Sequence, residues 1–195
     1  RLRRGGTYGG VEQRGERRRA RQCCVGCLAK KLGAPAGLAH APRMILGVDH
    51  LNIVVADLAR SVRFYTEVLG FRRTADVTME GEWIEAIIGL KGVKGLVAFV
   101  ELPGGGVRIE LLQYVTPAGV ALPENARANT LGLRHFALRV ADIAAMAARL
   151  RVAGVTLFSE PVKVPQGVVK FLAGEKTLCY FLDPDGVIVE LAEYR

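Results

Sequence analysis

The segment VDHLNIVVADLARSVRFYTEVLGF at 48–71 returns, altered, as LRHFALRVADIAAMAARLRVAGVTL at 133–157. Internal repetition constrains a chain strongly, because each copy must form the same supersecondary unit and bury one face against a neighbour. His50 aligns with His135, and Val55-Ala56-Asp57 with Val140-Ala141-Asp142, at an offset of 85 residues (135 − 50). Further on, RIELLQY at 108–114 matches VIVELAEY at 187–194, pairing Glu110 with Glu190 and Tyr114 with Tyr194 at an offset of 80 (190 − 110). The five-residue difference between the offsets is one change of loop length within a module.

Each copy predicts the same order of elements. Residues 47–55 alternate, with Val48, His50, Asn52 and Val54 on one face and Asp49, Leu51, Ile53 and Val55 on the other, which is the period of a strand. Asp57 stands where a carboxylate caps the exposed amides of a helix start. Leu58, Val62, Tyr65, Val68 and Leu69 follow at helical spacing, and Gly70 supplies the stop. In the second copy Asp142 caps, Ile143, Met146, Ala147 and Leu150 form the stripe, and Gly154 ends it. Strand patterns follow at about 71–79, 95–102 and 107–115, then at 155–160, 168–172, 177–183 and 186–193. Pro103-Gly104-Gly105-Gly106 and Asp183-Pro184-Asp185-Gly186 mark hairpins. Residues 83–90 read either as a short helix or as an irregular insertion. The expected class is α+β: a βαβββ module at about 45–115, a linker at about 116–130 and a second βαβββ module at about 131–194. The lone Cys179, inside an apolar strand pattern, reads as a small core residue.

The chain's net charge of +8 invites a polyanion partner. The charge is concentrated at one end. Residues 1–43 hold 11 basic and 2 acidic groups, leaving 27 − 11 = 16 basic against 19 − 2 = 17 acidic in the other 152 residues. The globular part is balanced, so neither nucleic acid nor a membrane surface is an expected partner. Residues 1–43 read as a basic tail, disordered or outside the native domain, and the domain is expected to start near Met44. Cys23, Cys24 and Cys27 of the tail have only His40 as a fourth candidate ligand, with no paired ligand beside it, and read as incidental thiols rather than a closed zinc site. The tail carries no convincing addressing signal, and a cytoplasmic location is expected.

Four polar residues stand at matching places in the two copies. His50 and His135 lie on the first strand of each module, and Glu110 and Glu190 lie inside the apolar last strand. A lone strand histidine is commonly a hydrogen-bonded core residue, and a lone strand glutamate commonly faces solvent. Their joint recurrence at equivalent positions favours ligation, because a glutamate buried in a sheet is costly unless it is paired or holds a metal. Two imidazoles and two carboxylates balance a divalent cation and suit zinc, nickel, iron(II), cobalt or manganese, with water completing the sphere. Arg108 and Arg134 flank the ligand positions, and alternation is expected to turn both side chains away from the metal face.

DHLNIVVADLARSVRFYTEVLGF, RIELLQY, LRHFALRVADI and YFLDPDGVIVELAEY together resemble the vicinal oxygen chelate superfamily, in the right order and across about 45–194. Its members include glyoxalase I, methylmalonyl-CoA epimerase, extradiol dioxygenases and antibiotic-resistance proteins. The resemblance implies paired modules forming a cupped, incomplete barrel around a divalent metal held by His50, Glu110, His135 and Glu190. The four-ligand set points to the glyoxalase I and epimerase branch. For this chain it implies removal of a proton α to a carbonyl, with Glu190 as base and Glu110 as the pseudo-symmetric partner that returns the proton. A thiol adduct or acyl-thioester is the favoured small-molecule substrate, and a homodimer is a family-based expectation. The alternatives are a methylmalonyl-CoA epimerase-type racemase, an extradiol-type dioxygenase and a non-catalytic small-ligand-binding or resistance module.

Overall fold

The computed structural model describes residues 45–123, 127–165 and 174–195. The basic tail with its cysteines and the strand expected at 168–172 lie outside the described residues. The first module runs β1 (His50–Val54), α1 (Leu58–Arg63), β2 (Arg72–Glu80), α2 (Glu82–Ile88), β3 (Lys94–Glu101) and β4 (Arg108–Thr116). The second runs β5 (His135–Arg139), α3 (Ile143–Val152), β6 (Val162–Lys163), β7 (Lys176–Leu182) and β8 (Ile188–Tyr194).

Both helix starts follow from the sequence. Asp57 accepts from the Arg60 amide and Asp142 from the Ala145 amide, each at 2.9 Å. A second acceptor, absent from the sequence reading, closes each start. Gln113 Oε1 takes the Leu58 amide at 2.9 Å, and Glu193 Oε2 takes the Ile143 amide at 3.3 Å. Gln113 and Glu193 are repeat equivalents, so each last strand ties down the helix of its own module and supplies orphan helix-end donors with partners. After Arg63 the first helix widens into a π-helical stretch over Phe64–Val68, where the Thr66 hydroxyl donates to the Val62 carbonyl. Gly70 and Gly154 end the two helical segments at φ +81° and +76°, left-handed values that favour glycine.

The strands form two four-stranded mixed sheets, ordered β1-β4-β3-β2 and β5-β8-β7-β6, with the first and last strands of each module parallel. Both sheets are open. Among the described residues β1 and β5 are edge strands, and they carry the two histidines. The segment expected as a strand at 155–160 makes only one bridge, Leu157 to Phe181. Pro161 has no amide to donate, and pairing with β7 resumes only at Val162–Lys163. Residues 83–90 resolve largely as helix. Ile84 and Ile88 of α2 pack with Met79, Val93, Val97, Leu112, Phe99 and Tyr114 over the Glu110-bearing face of the first sheet.

The main core joins the modules through their other faces. Ile53, Tyr65, Leu111, Leu150, Phe181, Val189 and Leu191 are among its buried members, with Cys179 beside them as expected. The hairpin turn at 183–186 clasps the first helix across this core. Asp185 accepts from the Ala56 amide at 2.9 Å, the Arg60 guanidinium at 2.5 Å and the Ser61 hydroxyl at 2.8 Å. Asp183 accepts from the Tyr65 hydroxyl at 3.0 Å and from the Asp185 and Val187 amides of its own turn. Burial pushes the Asp183 carboxyl up and the Tyr65 hydroxyl well up, against the turn amides that favour the Asp183 carboxylate.

Candidate metal centre

Alternation puts His50 and Asn52 of β1 on the same face as Glu110 of β4, since the two parallel strands pair Asn52 with Glu110. His50 Nε2 stands 3.4 Å from Glu110 Oε2. In the second module His135 Nε2 stands 3.4 Å from Glu190 Oε2. Two ligands each about 2.1 Å from one ion, at angles from a right angle to tetrahedral, stand about 3.0–3.4 Å apart. Each pair therefore has the separation of two ligands on a shared ion, with the nitrogen and oxygen donors that zinc and its neighbours accept. Each chain brings the four residues into two such pairs. Among the described residues no group of three or more His, Cys, Asp or Glu side chains converges within the chain.

Each pair has its own supporting residues. Asp49 Oδ2 lies 2.7 Å from His50 Nδ1 and accepts from Arg108 Nη2, also at 2.7 Å. The His50 hydrogen bond and then the Arg108 guanidinium hold the Asp49 carboxyl below its usual range. A carboxylate on the far ring nitrogen fixes the tautomer that leaves Nε2 open toward Glu110. Arg108 does not turn away from this site. It is two residues from Glu110 on one strand and so shares its face, and its guanidinium lies 5.2 Å from the Phe99 ring centroid. Asn52 Nδ2 donates to Glu110 Oε2 at 2.8 Å.

In the second pair, Lys176 Nζ donates to Glu190 Oε1 at 2.7 Å, and the Tyr180 ring packs 5.1 Å from the His135 ring. Burial opposes the Lys176 ammonium, but Glu190 and Tyr194 outweigh it and raise its pKa. Burial, with the Glu190 charge behind it, raises the Tyr180 hydroxyl. Asp49, Asn52, Tyr180 and Lys176 all escaped the sequence reading. Asp49 adjoins His50 and Asn52 follows two residues on, on the same strand face, so both offered a signal. Lys176 offered none, because only sheet register brings it to Glu190.

Beside these pairs, a cavity of about 680 Å³ lies between the free edges of β1 and β5, lined by Leu51–Ala56, Ala118–Leu122 and Leu133–Phe136. The profile of the Glyoxalase/Bleomycin resistance protein/Dioxygenase superfamily matches residues 47–191. The chain belongs to that superfamily. A 2-epi-5-epi-valiolone epimerase of an Actinomyces species is 30% identical over 151 residues, covering 75% of this chain and 78% of the relative. The uncharacterized Escherichia coli (strain K12) protein YaeR is 32% identical over 149 residues, covering 75% of this chain and 95% of its own. A crystal structure of a glyoxalase family protein from Bacillus cereus superposes with a TM-score of 0.67 at 31% identity, covering 80% of this chain and 99% of that one. The superfamily contains enzymes and small-molecule binders, and its members often use divalent metals. No helix among the described residues is long and apolar enough to cross a membrane.

Proposed function

We propose that this superfamily member is a divalent-metal-dependent enzyme of the glyoxalase-like lyase or isomerase type, which removes a proton from a carbon α to a carbonyl. The observation that carries the reading is the recurrence of a histidine–glutamate pair, at one ligand-compatible separation, in repeat-equivalent strands. His50, Glu110, His135 and Glu190 are the ligands, and zinc, nickel, iron(II), cobalt and manganese all suit them. The ion supplies Lewis acidity toward negative charge developing on the substrate's carbonyl oxygen.

The remaining steps belong to the chain's own groups. Glu190 accepts the proton and Glu110, from the other module, returns it, so no further acid or base is required. Asp49 holds the His50 tautomer, while Asn52 and Lys176 orient the two carboxylates. Phe99, Leu112, Tyr114 and the α2 cover supply an apolar wall beside the first pair.

The four ligands meet when two copies associate. Support comes from the free edges of β1 and β5 and from the exposed apolar side chains near them: Val54, Val115, Val120, Leu122, Leu131 and Leu133. Exposed apolar clusters beside unpaired strand edges are surfaces that a partner covers. The substrate is a small molecule, with a thiol adduct or acyl-thioester as the first class to test. The resemblance to an epimerase named for 2-epi-5-epi-valiolone favours a second reading, in which the proton is removed and returned on opposite faces of a cyclic ketone.

Elemental analysis of the purified full chain, then solvent-deuterium exchange with hemithioacetals, acyl-thioesters and polyhydroxylated cyclic ketones, tests both readings. Bound divalent metal and exchange at one α carbon are expected, with both lost in His135→Ala and exchange lost in Glu110→Gln. Absence of metal, with no thermal response to added metals, would sink both readings in favour of a metal-free binding module. Oxygen uptake with a catechol would move the assignment to a dioxygenase.

A further inference from the structure

The two glutamates sit in unlike settings, and the difference traces to one strand position. In the second sheet Tyr180 pairs with Glu190 and Lys176 with Tyr194; in the first, Phe99 pairs with Glu110 and Gly95 with Tyr114. Lys176 and Gly95 therefore occupy the same place, four residues before the partner of the ligating glutamate. Nothing larger than glycine fits the first of these without a shift, since a Cβ at Gly95 would stand 2.9 Å from Leu112 Cδ1 and 3.2 Å from Met79 Cε. At the second, the Lys176 ammonium contacts Glu190 with both side chains largely buried, at 18% and 6% exposure. It also lies 5.5 Å from the centroid of the Tyr194 ring. Among the described residues, Glu110 takes a hydrogen bond from the neutral Asn52 amide and has the His50 ring 3.4 Å away, with no lysine at the place Lys176 holds. Arg108, on the same face of β4, is paired with Asp49.

We propose that Lys176 is the resident counter-ion of the second half-site: it balances and orients Glu190 in the metal-free protein, and it holds down the affinity for the divalent ion. The inference rests on the metal-binding reading above. A carboxylate this buried is strongly destabilising without a partner, so the ammonium keeps the metal-free fold intact. The same fixed positive charge repels a divalent ion a few ångströms away, which lowers affinity about tenfold even at the dielectric constant of water. Lys176 therefore acts on the metal through Glu190 as a positioning residue. It makes one half of a pseudo-symmetric site a weaker partner for the ion than the other.

The test uses the full chain, stripped with a chelator and titrated with Co²⁺ alone, reading the dissociation constant and the visible d–d absorption. Lys176→Met and Lys176→Gln, neutral variants of which the second can still donate to Glu190, should bind Co²⁺ about tenfold or more tightly. Their metal-free forms should melt below wild type. Lys176→Arg retains the charge and should stay within about twofold of wild type. Lys163→Met, which removes a charge paired with Glu175 just ahead of β7, should do the same. Equal or weaker Co²⁺ binding in both neutral variants overturns the role of Lys176 while leaving the metal reading in place. A wild-type chain that binds no Co²⁺ overturns the metal reading and this inference with it.

Discussion

Truncating Asp185 to alanine tests the clasp that joins the modules. Its carboxylate is 8% exposed and accepts from the Ala56 amide, the Arg60 guanidinium and the Ser61 hydroxyl. Ser61 is fully buried, and truncation takes away the acceptor of its hydroxyl. A buried donor left unsatisfied costs about 1–3 kcal/mol. The Ala56 amide adds a smaller amount of the same kind. Arg60 is 42% exposed and its ion pair is screened, so that contribution is discounted to about 1 kcal/mol or less. The Arg60 Nε is already buried without a partner and would lose its nearest compensation. Together these suggest a loss of about 3 kcal/mol, or roughly 6–12 °C in Tm for a chain of this length. Tyr65→Phe removes a single hydrogen bond to Asp183 and should cost about 1 kcal/mol. Thermal melts of the full chain, followed by circular dichroism, measure both. If Asp185→Ala melts within about 2 °C of wild type, or above Tyr65→Phe, the clasp does not hold the modules together as argued.

Two further outcomes follow from the geometry. Gly95→Ala sets a Cβ against Leu112 Cδ1 and Met79 Cε, the ends of flexible side chains that can turn aside, so it should cost about 1 kcal/mol, the low end for overpacking; a drop in the urea midpoint equivalent to more than about 3 kcal/mol would show that neither side chain can move. Asp183 has a raised carboxyl, so its contribution to stability is fully present below the ordinary carboxylate value and is lost as pH rises through the raised one. The urea midpoint of Asp183→Asn should therefore gain on that of wild type as pH is raised from acid toward neutrality, and a constant difference would contradict it.

Much of the fold was legible because it rests on local rules. The Asp57 and Asp142 caps, the glycine stops and the alternation of β1 need only their neighbours in sequence, and the repeat confirmed each by appearing twice. The strand expected at 155–160 failed because apolar run length alone does not reveal whether an edge is available for pairing. The ambiguity at 83–90 had a similar source: α2 is held by contacts with Met79, Val97 and Leu112, which no helical period of its own displays. Arg108 was misread through parity, since positions 108 and 110 share a face whereas 134 and 135 do not. The four proposed ligands stood out in sequence because they are polar interruptions at repeated positions.

The sequence by itself determined that the chain is a duplicated βαβββ unit and which histidine and glutamate each copy carries. Those facts depend on periodicity and repetition, which are properties of one dimension. The tertiary structure decided how the copies face each other, and it placed a lysine against one glutamate and an asparagine against the other. The turn at 183–186 reads in sequence as hairpin punctuation and becomes the acceptor for a helix more than a hundred residues away. Lys176 meets Glu190 only because β7 and β8 pair in the register that sets Tyr180 opposite it. Contacts of that kind depend on which strands become neighbours, and packing of the whole module settles that.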